Sequence, residues 1–177
     1  MDHPFLIGSN IYLRGLEQKD LDGPYAEWLN DQESDVFTGH AIWPNTSEKM
    51  RTFFESTRGG KNDLVLAIID KATETHIGNV GLHNINWLHR NAKLAILIGD
   101  KSKRGKGRGA EVVEMICNHA FDRLNMHRVY LGVREDNVAA IKAYTKSGFM
   151  EEGRLRQAIF SKGRFYDVIN MYKLEAR

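Results

Sequence analysis

Two hydrophobic periods divide this chain into elements. Leu64–Ile69 and Leu94–Ile98 are apolar throughout, which suits strands buried on both faces. Ile11–Leu16, His76–Trp87 and Val129–Val133 also read as strands, with Gly78 and Gly81 as bulge positions in the second of these. Asp70-Lys71 and the polar residues around Asn91 mark turns. Helical spacing appears over Lys19–Leu29, where Leu21, Tyr25, Trp28 and Leu29 recur and Pro24 interrupts the early turns. Ser47 caps a second helix with Met50, Phe53 and Phe54 on its apolar face, and Arg58-Gly59-Gly60 ends it. Val112, Val113, Ile116, Ala120 and Leu124 mark one face of a long helix, and Asn137–Ser147 forms a shorter one. Two further strands fit Phe149–Phe160 and Phe165–Leu174, hinged at Lys162-Gly163. The order β-α-α-β-β-β-α-β-α-β-β puts a meander before the crossover helices. The fold class that follows is α/β (α+β mixed): a central mixed, mostly antiparallel sheet of about seven strands with helices on both faces.

Composition narrows the class. The 177 residues fit a single domain over 1–177, and 42% hydrophobic with 27% charged residues is ordinary for a globular protein. A net charge of +2 argues against a globally basic nucleic-acid binder. Cys117 is the sole cysteine, so an intrachain disulfide is excluded and a reducing compartment fits. The apolar runs are too short to span a membrane, and Met-Asp-His-Pro-Phe-Leu lacks the basic start and apolar core of a signal peptide. The expectation is a cytoplasmic protein with no membrane and no nucleic-acid partner. The seven histidines contain no H-x-x-H or H-x-x-x-H pair, so no metal is expected.

Two segments carry candidate chemistry. After the buried run Leu94–Ile98 comes Arg104-Gly105-Lys106-Gly107-Arg108-Gly109, at the head of the long helix. Glycines let backbone N–H groups crowd together, and a helix start favours an anion, so a pyrophosphate suits this loop. A Walker A loop does not fit: five residues separate Gly99 from Gly105, and Gly107 follows Lys106. A G-x-G-x-x-G fingerprint does not fit either, because the spacing here is G-x-G-x-G. Read alone, the segment is equally a solvated basic turn or a nucleic-acid patch. Downstream, Asn137, Ala140, Tyr144 and Gly148 share a helical face, with Asn137 as N-cap and Gly148 as the stop before Phe149. Read alone, this is a packed amphipathic helix.

Together and in this order, the two segments resemble the acetyl-CoA-binding motifs of the GNAT superfamily of N-acetyltransferases. Arg104, Gly107 and Gly109 match that family's loop, and N-x-x-A-x-x-x-Y-x-x-x-G-F over Asn137–Phe149 matches its helix. The resemblance covers Ile11 to Leu174 and is specific from about Leu94 onward. It implies acetyl-CoA as co-substrate, with Arg104, Gly105, Lys106, Gly107, Arg108 and Gly109 around the pyrophosphate and Asn137 on the pantetheine arm. It also implies backbone N–H groups at Leu97 and Ile98 that polarise the thioester carbonyl. The Tyr144 hydroxyl would lie near the CoA sulfur. A phenol of pKa ~10 can donate its proton as thiolate charge develops, so Tyr144 is the expected general acid. A homodimer or larger homo-oligomer is implied by family habit.

A primary amine near pKa ~10 must lose a proton before it attacks. In the branch that includes spermidine and ribosomal-protein acetyltransferases, which His89-Arg90-Asn91-Ala92 and Gly163–Val168 most resemble, a glutamate often sits early in the third central strand. Lys93 occupies that position here. The open candidates for the proton acceptor are His83, Glu33 or water; His83 and His89 read equally as hydrogen-bonding histidines, and Glu33 as a solvated acid. The acceptor is a small-molecule or peptide amine: a polyamine, a protein N-terminus or an amino sugar. Asp31, Glu33 and Asp35 suggest the first, while Trp43, Trp87 and Phe160 read either as stacking groups or as core. The rival is a non-catalytic acyl-CoA-binding sensor, in which Lys93 marks lost catalysis.

Overall fold

The apolar runs pair with their sequence neighbours as far as Ile98, and there the pattern changes. The structure is a computed structural model and describes residues 1–33 and 39–176. Its strands are β1 (Leu6–Ile7), β2 (Ile11–Gly15), β3 (Leu64–Asp70), β4 (Thr75–Asn86), β5 (Asn91–Ile98), β6 (Arg128–Arg134), β7 (Met150–Ser161) and β8 (Arg164–Leu174). Among the described residues they form one eight-stranded sheet in the order β1-β2-β3-β4-β5-β6-β8-β7. Strands β1 to β5 are antiparallel neighbours, β6 lies parallel to β5, and β8 returns antiparallel between β6 and β7. The strand beyond the expected seven is β1, whose two residues are too few to show a period.

The helices are α1 (Gln18–Leu21), α2 (Tyr25–Asn30), α3 (Ser47–Gly59), α4 (Arg108–Asp122) and α5 (Val138–Lys146). The single helix expected over Lys19–Leu29 is two, with Pro24 at the N-cap of α2. Proline cannot donate an amide bond and crowds the preceding turn, so the chain breaks where the ring falls. Thr46, one residue before the expected Ser47, caps α3 by accepting from the Lys49 N–H.

The main core lies between α4, α5 and one face of the sheet. Val112, Val113, Ile116 and Ala120 are at most 1% exposed and pack with Ile11, Leu13, Leu66, Ile68, Leu82, Leu94 and Leu131. Each such Val, Leu or Ile stabilises the fold by about 1.5–3 kcal/mol relative to exposure. Cys117 is buried in the same layer, where desolvation pushes its thiol up to about 12; it fills space. Strand alternation turns Arg14 and His76 to the opposite face, where they meet α1 and α2. Arg14 donates two 2.7 Å bonds to the buried Asp20 carboxylate, and His76 lies edge-on to Trp28. Helices therefore cover both faces of the sheet. Among the described residues, no helix is long and apolar enough to cross a membrane.

Candidate active site

The site begins where two parallel strands part. β5 and β6 pair only through Asn91↔Arg128, Ala92↔Val129 and Lys93↔Tyr130. Beyond that row, β5 stays on β4 as far as Ile98↔Gly78, while β6 stays on β8 as far as Arg134↔Val168. The gap between them opens at the carboxyl ends of both strands, the side on which open α/β sheets bind ligands. Gly99 and Asp100 both donate to the Ile77 carbonyl, at 2.9 and 3.1 Å, and this bulge turns the chain out of β5. The turn requires glycine at 99: a Cβ there would come within 1.9 Å of the Trp28 indole that lies against it.

The bond from Gly99 to β4 sets the direction of the strand. Alternation turns the Leu97 N–H to β4 as well, so the donors opening on the gap belong to Ile96 and Ile98. Of the two residues expected to supply carbonyl-polarising amides, Ile98 faces the gap and Leu97 does not.

The glycine-rich segment forms a loop before α4. Gly105 and Gly107 have φ of 72° and 77°, and Gly107 is the N-cap of α4 without a side-chain cap bond. The first intrahelical bond is Glu111 N–H to Gly107 O, so the N–H groups of Arg108, Gly109 and Ala110 are left for a ligand. Most of the basic side chains are engaged by other groups of the chain. Lys101 pairs with Asp31 and Glu33 at 2.8 and 3.0 Å. Arg104 donates to the Ile98 and Gly99 carbonyls at 2.8 and 3.2 Å. Lys103 and Arg108 both reach Asp70, at 3.3 and 2.7 Å. Among the described residues, Lys106 alone of these five cations has no such partner. Arg108, expected among the residues around the pyrophosphate, holds Asp70 with its side chain and keeps its backbone N–H free of intrahelical bonds. Burial pushes the Asp70 carboxyl up, but bonds from Arg108, Thr73 and Lys103 outweigh it and hold the group at about 2.

A cavity of about 630 Å³ extends from this loop along α4 to the end of α5; Lys106, Gly107, Glu111, Lys146, Gly148 and Lys173 are among its walls. It lies beside the loop and does not include Tyr144.

Helix α5 leaves the end of β6. Asn137 Oδ1 accepts from the Ala140 N–H at 3.2 Å, and its own N–H bonds to Arg134 O, so the side chain is committed as a cap through its oxygen and keeps its amide NH2. Tyr144 packs on the face shared by Leu94, Ile96, Leu131 and Val133, with its ring 5.9 Å from Phe149. Burial pushes its phenol up to about 12, which keeps the proton on oxygen at neutral pH.

On the opposite sheet face, the exposed Lys93 and Ala95 border the gap. His83 is the cross-strand neighbour of Lys93, and its Nδ1 lies 2.9 Å from Asp63 Oδ1. With Nδ1–H donating to that carboxylate, Nε2 carries the lone pair. The ring lies over Gly81, where a Cβ would stand 2.5 Å from Nε2. His89 is exposed on the β4–β5 turn, and Glu33 is bound to Lys101. Asp35 lies outside the described residues. Trp43, Trp87 and Phe160 are 74%, 48% and 62% exposed, so none is core. Sequence reasoning missed Asp70, read only as part of a turn, and Asp63, read not at all. Asp70 meets Lys103 and Arg108, and Asp63 meets His83, far along the chain; the one local sign is Thr73, whose N–H and hydroxyl donate to Asp70.

Residues 10–150 match the acetyltransferase (GNAT) domain family. The spermidine N(1)-acetyltransferase of Vibrio cholerae is 36% identical over 110 residues, which is 62% of this chain and 63% of that protein, so the match spans under two thirds of the relative's length. An SPbeta prophage-derived N-acetyltransferase of Bacillus subtilis is 41% identical over 169 residues, 93% of this chain and 90% of that protein. The crystal structure of the Vibrio cholerae spermidine N-acetyltransferase with CoA and spermine superposes with a TM-score of 0.85 at 29% identity, covering 94% of this chain and 96% of that one.

Proposed function

The chain belongs to the GNAT acetyltransferase family, and from that premise we propose that it transfers the acetyl group of acetyl-CoA directly to a primary amine in a ternary complex. The observation that carries this reading is the parting of β5 from β6 beyond Lys93↔Tyr130, with the glycine-rich loop at one strand end and Asn137 at the other. In this reading residues 1–177 act as one acetyltransferase domain.

Pantetheine enters the gap and pairs with the exposed backbone of β5 as a strand would. Its pyrophosphate is held by the N–H groups of the 104–109 loop, with Lys106 as the mobile cation. The adenosine end lies toward the cavity bounded by Lys146 and Lys173. The Asn137 amide NH2 donates to the pantetheine arm. The Ile98 N–H, with Ile96 behind it, faces the negative charge that grows on the thioester oxygen; a fixed dipole there stabilises the charge without reorganising. As the amine nitrogen bonds to the carbonyl carbon, the C–S bond breaks and Tyr144 gives its proton to the departing sulfur. The proton lost by the amine passes, through water, to His83 Nε2, and Asp63 steadies the imidazolium.

The amine enters from the face that carries Lys93, Ala95 and His83. A polyamine is the first acceptor to test, since the Vibrio relatives act on spermidine. Asp31 and Glu33 are already paired with Lys101 in this chain, so peptide N-termini and amino-sugar nucleotides belong in the same panel. The sensor alternative rested on Lys93 alone, and a histidine–carboxylate pair on the neighbouring strand supplies what Lys93 lacks. Self-association belongs to the same reading: β7 is a twelve-residue edge strand with Met150, Leu155 and Phe160 exposed, an open template for a second copy. The test is CoA-thiol release from acetyl-CoA across the amine panel. Turnover with one amine class supports the enzyme and names its acceptor; CoA binding without turnover on any amine would restore the sensor.

A further inference from the structure

We infer that Asp70 is a positioning residue for the acetyl-CoA donor: it clips both ends of the 104–107 loop and so holds the backbone N–H groups where a pyrophosphate needs them. The inference rests on the reading of that loop as the pyrophosphate site.

Asp70 is fully buried at the end of β3, opposite Ile11 on one side and Thr75 on the other, so the sheet fixes its place. Its Oδ1 accepts from the Thr73 N–H and hydroxyl at 3.2 and 3.0 Å and faces Lys103 Nζ at 3.3 Å. Its Oδ2 accepts both Nε and Nη2 of Arg108, each at 2.7 Å. Lys103 is the residue immediately before the loop and Arg108 the one immediately after it. One carboxylate thus ties down both flanks, while Arg104 anchors the loop's own start to β5. The segment between contains Gly105 and Gly107, whose backbones would otherwise visit many conformations. Ordering them before the ligand arrives removes that entropy from the binding step.

Two effects of removing the Asp70 charge have opposite signs. Asp70, Lys103 and Arg108 together leave a net single positive charge beneath the loop. Neutralising Asp70 would raise it and free two cations for the phosphates, so Coulomb attraction alone predicts tighter CoA binding. Positioning predicts weaker binding, because the N–H groups lose their common orientation.

Calorimetric titration with CoA and with pantetheine, which lacks the pyrophosphate and adenosine, separates the two. Asp70→Asn is expected to raise the CoA Kd about tenfold or more. The pantetheine Kd, and kcat at saturating acetyl-CoA, should stay within about twofold of wild type. Unchanged or tighter CoA binding overturns the clip, and so does an equal loss for both ligands, which would mark general damage. If Asp70→Asn does not fold, Arg108→Lys decides. It keeps the charge but loses the two-pronged grip, so the clip predicts the same CoA-specific loss, and retained CoA affinity overturns it. Wild-type protein that binds no CoA would overturn the loop reading itself, and the clip with it; because the readout is binding, an inactive but CoA-binding protein is a separate result.

Discussion

At the scale of single residues, the proposed acid and the proposed base lie on opposite sides of the sheet. Tyr144 is half-buried against the apolar core, with its phenol pushed up to about 12; His83 is half-buried on the other face, with its ring beside Asp63. That asymmetry suits the two proposed proton transfers, in which the sulfur leaves inside the gap and the amine arrives from solvent. Tyr144→Phe should lower kcat about a hundredfold or more while the acetyl-CoA Kd from calorimetry stays put. Near wild-type turnover in this variant would remove the general acid from the scheme. The His83 role has a different signature. An alkylamine is mostly charged at neutral pH and needs a proton acceptor, whereas a weakly basic amine such as a hydrazine or arylamine is already neutral. His83→Gln should therefore lose about a hundredfold in kcat/KM for the alkylamine and little for the weakly basic one. Equal losses for both would mean that His83 shapes the pocket and accepts no proton.

At the scale of elements, the start of α4 concentrates what the loop does. Gly107 sits at φ 77° as the N-cap, a conformation that costs an L-residue with a Cβ about 1–2 kcal/mol. Gly107→Ala should lower stability by about 1 kcal/mol in urea unfolding and weaken CoA binding several-fold, because the helix start must shift to relieve the strain. Unaltered CoA affinity in a destabilised Gly107→Ala would separate the loop's shape from ligand binding. Elements of this kind were legible in the sequence. Asn137, Gly148 and Pro24 mark a cap, a stop and a break through bonds made or refused within a few residues. The pairing of β5 with β6, and its early end, was not legible, since it depends on partners some forty residues away. The basic loop shows the same limit. A solvated basic turn was one reading of the segment, yet of Lys101, Lys103, Arg104, Lys106 and Arg108 four are spent on Asp31, Glu33, Asp70 and the carbonyls of Ile98 and Gly99.

At the scale of the whole molecule, the sheet works as two antiparallel halves joined by a short parallel seam, and the seam's opening is the proposed cofactor slot. The halves differ in how they are held. The N-terminal half is bound to the loop through Asp70, so the fold's acid stability and the loop's order share one carboxylate. The sign of that coupling follows from the direction of the shift. In the folded chain Asp70 lies near 2, below its ordinary 3.8, so its contribution is complete above about pH 4 and is lost as pH falls toward 2. Other carboxylates also respond to acid, so the informative quantity is the difference between wild type and Asp70→Asn. Wild type should be the more stable at pH 7, and the gap in urea midpoint should narrow steadily between pH 4 and pH 2.5 as Asp70 takes up its proton. A gap that stayed constant over that range would mean that the Asp70 charge does not stabilise the fold, and that Lys103 and Arg108 stay in place by packing alone.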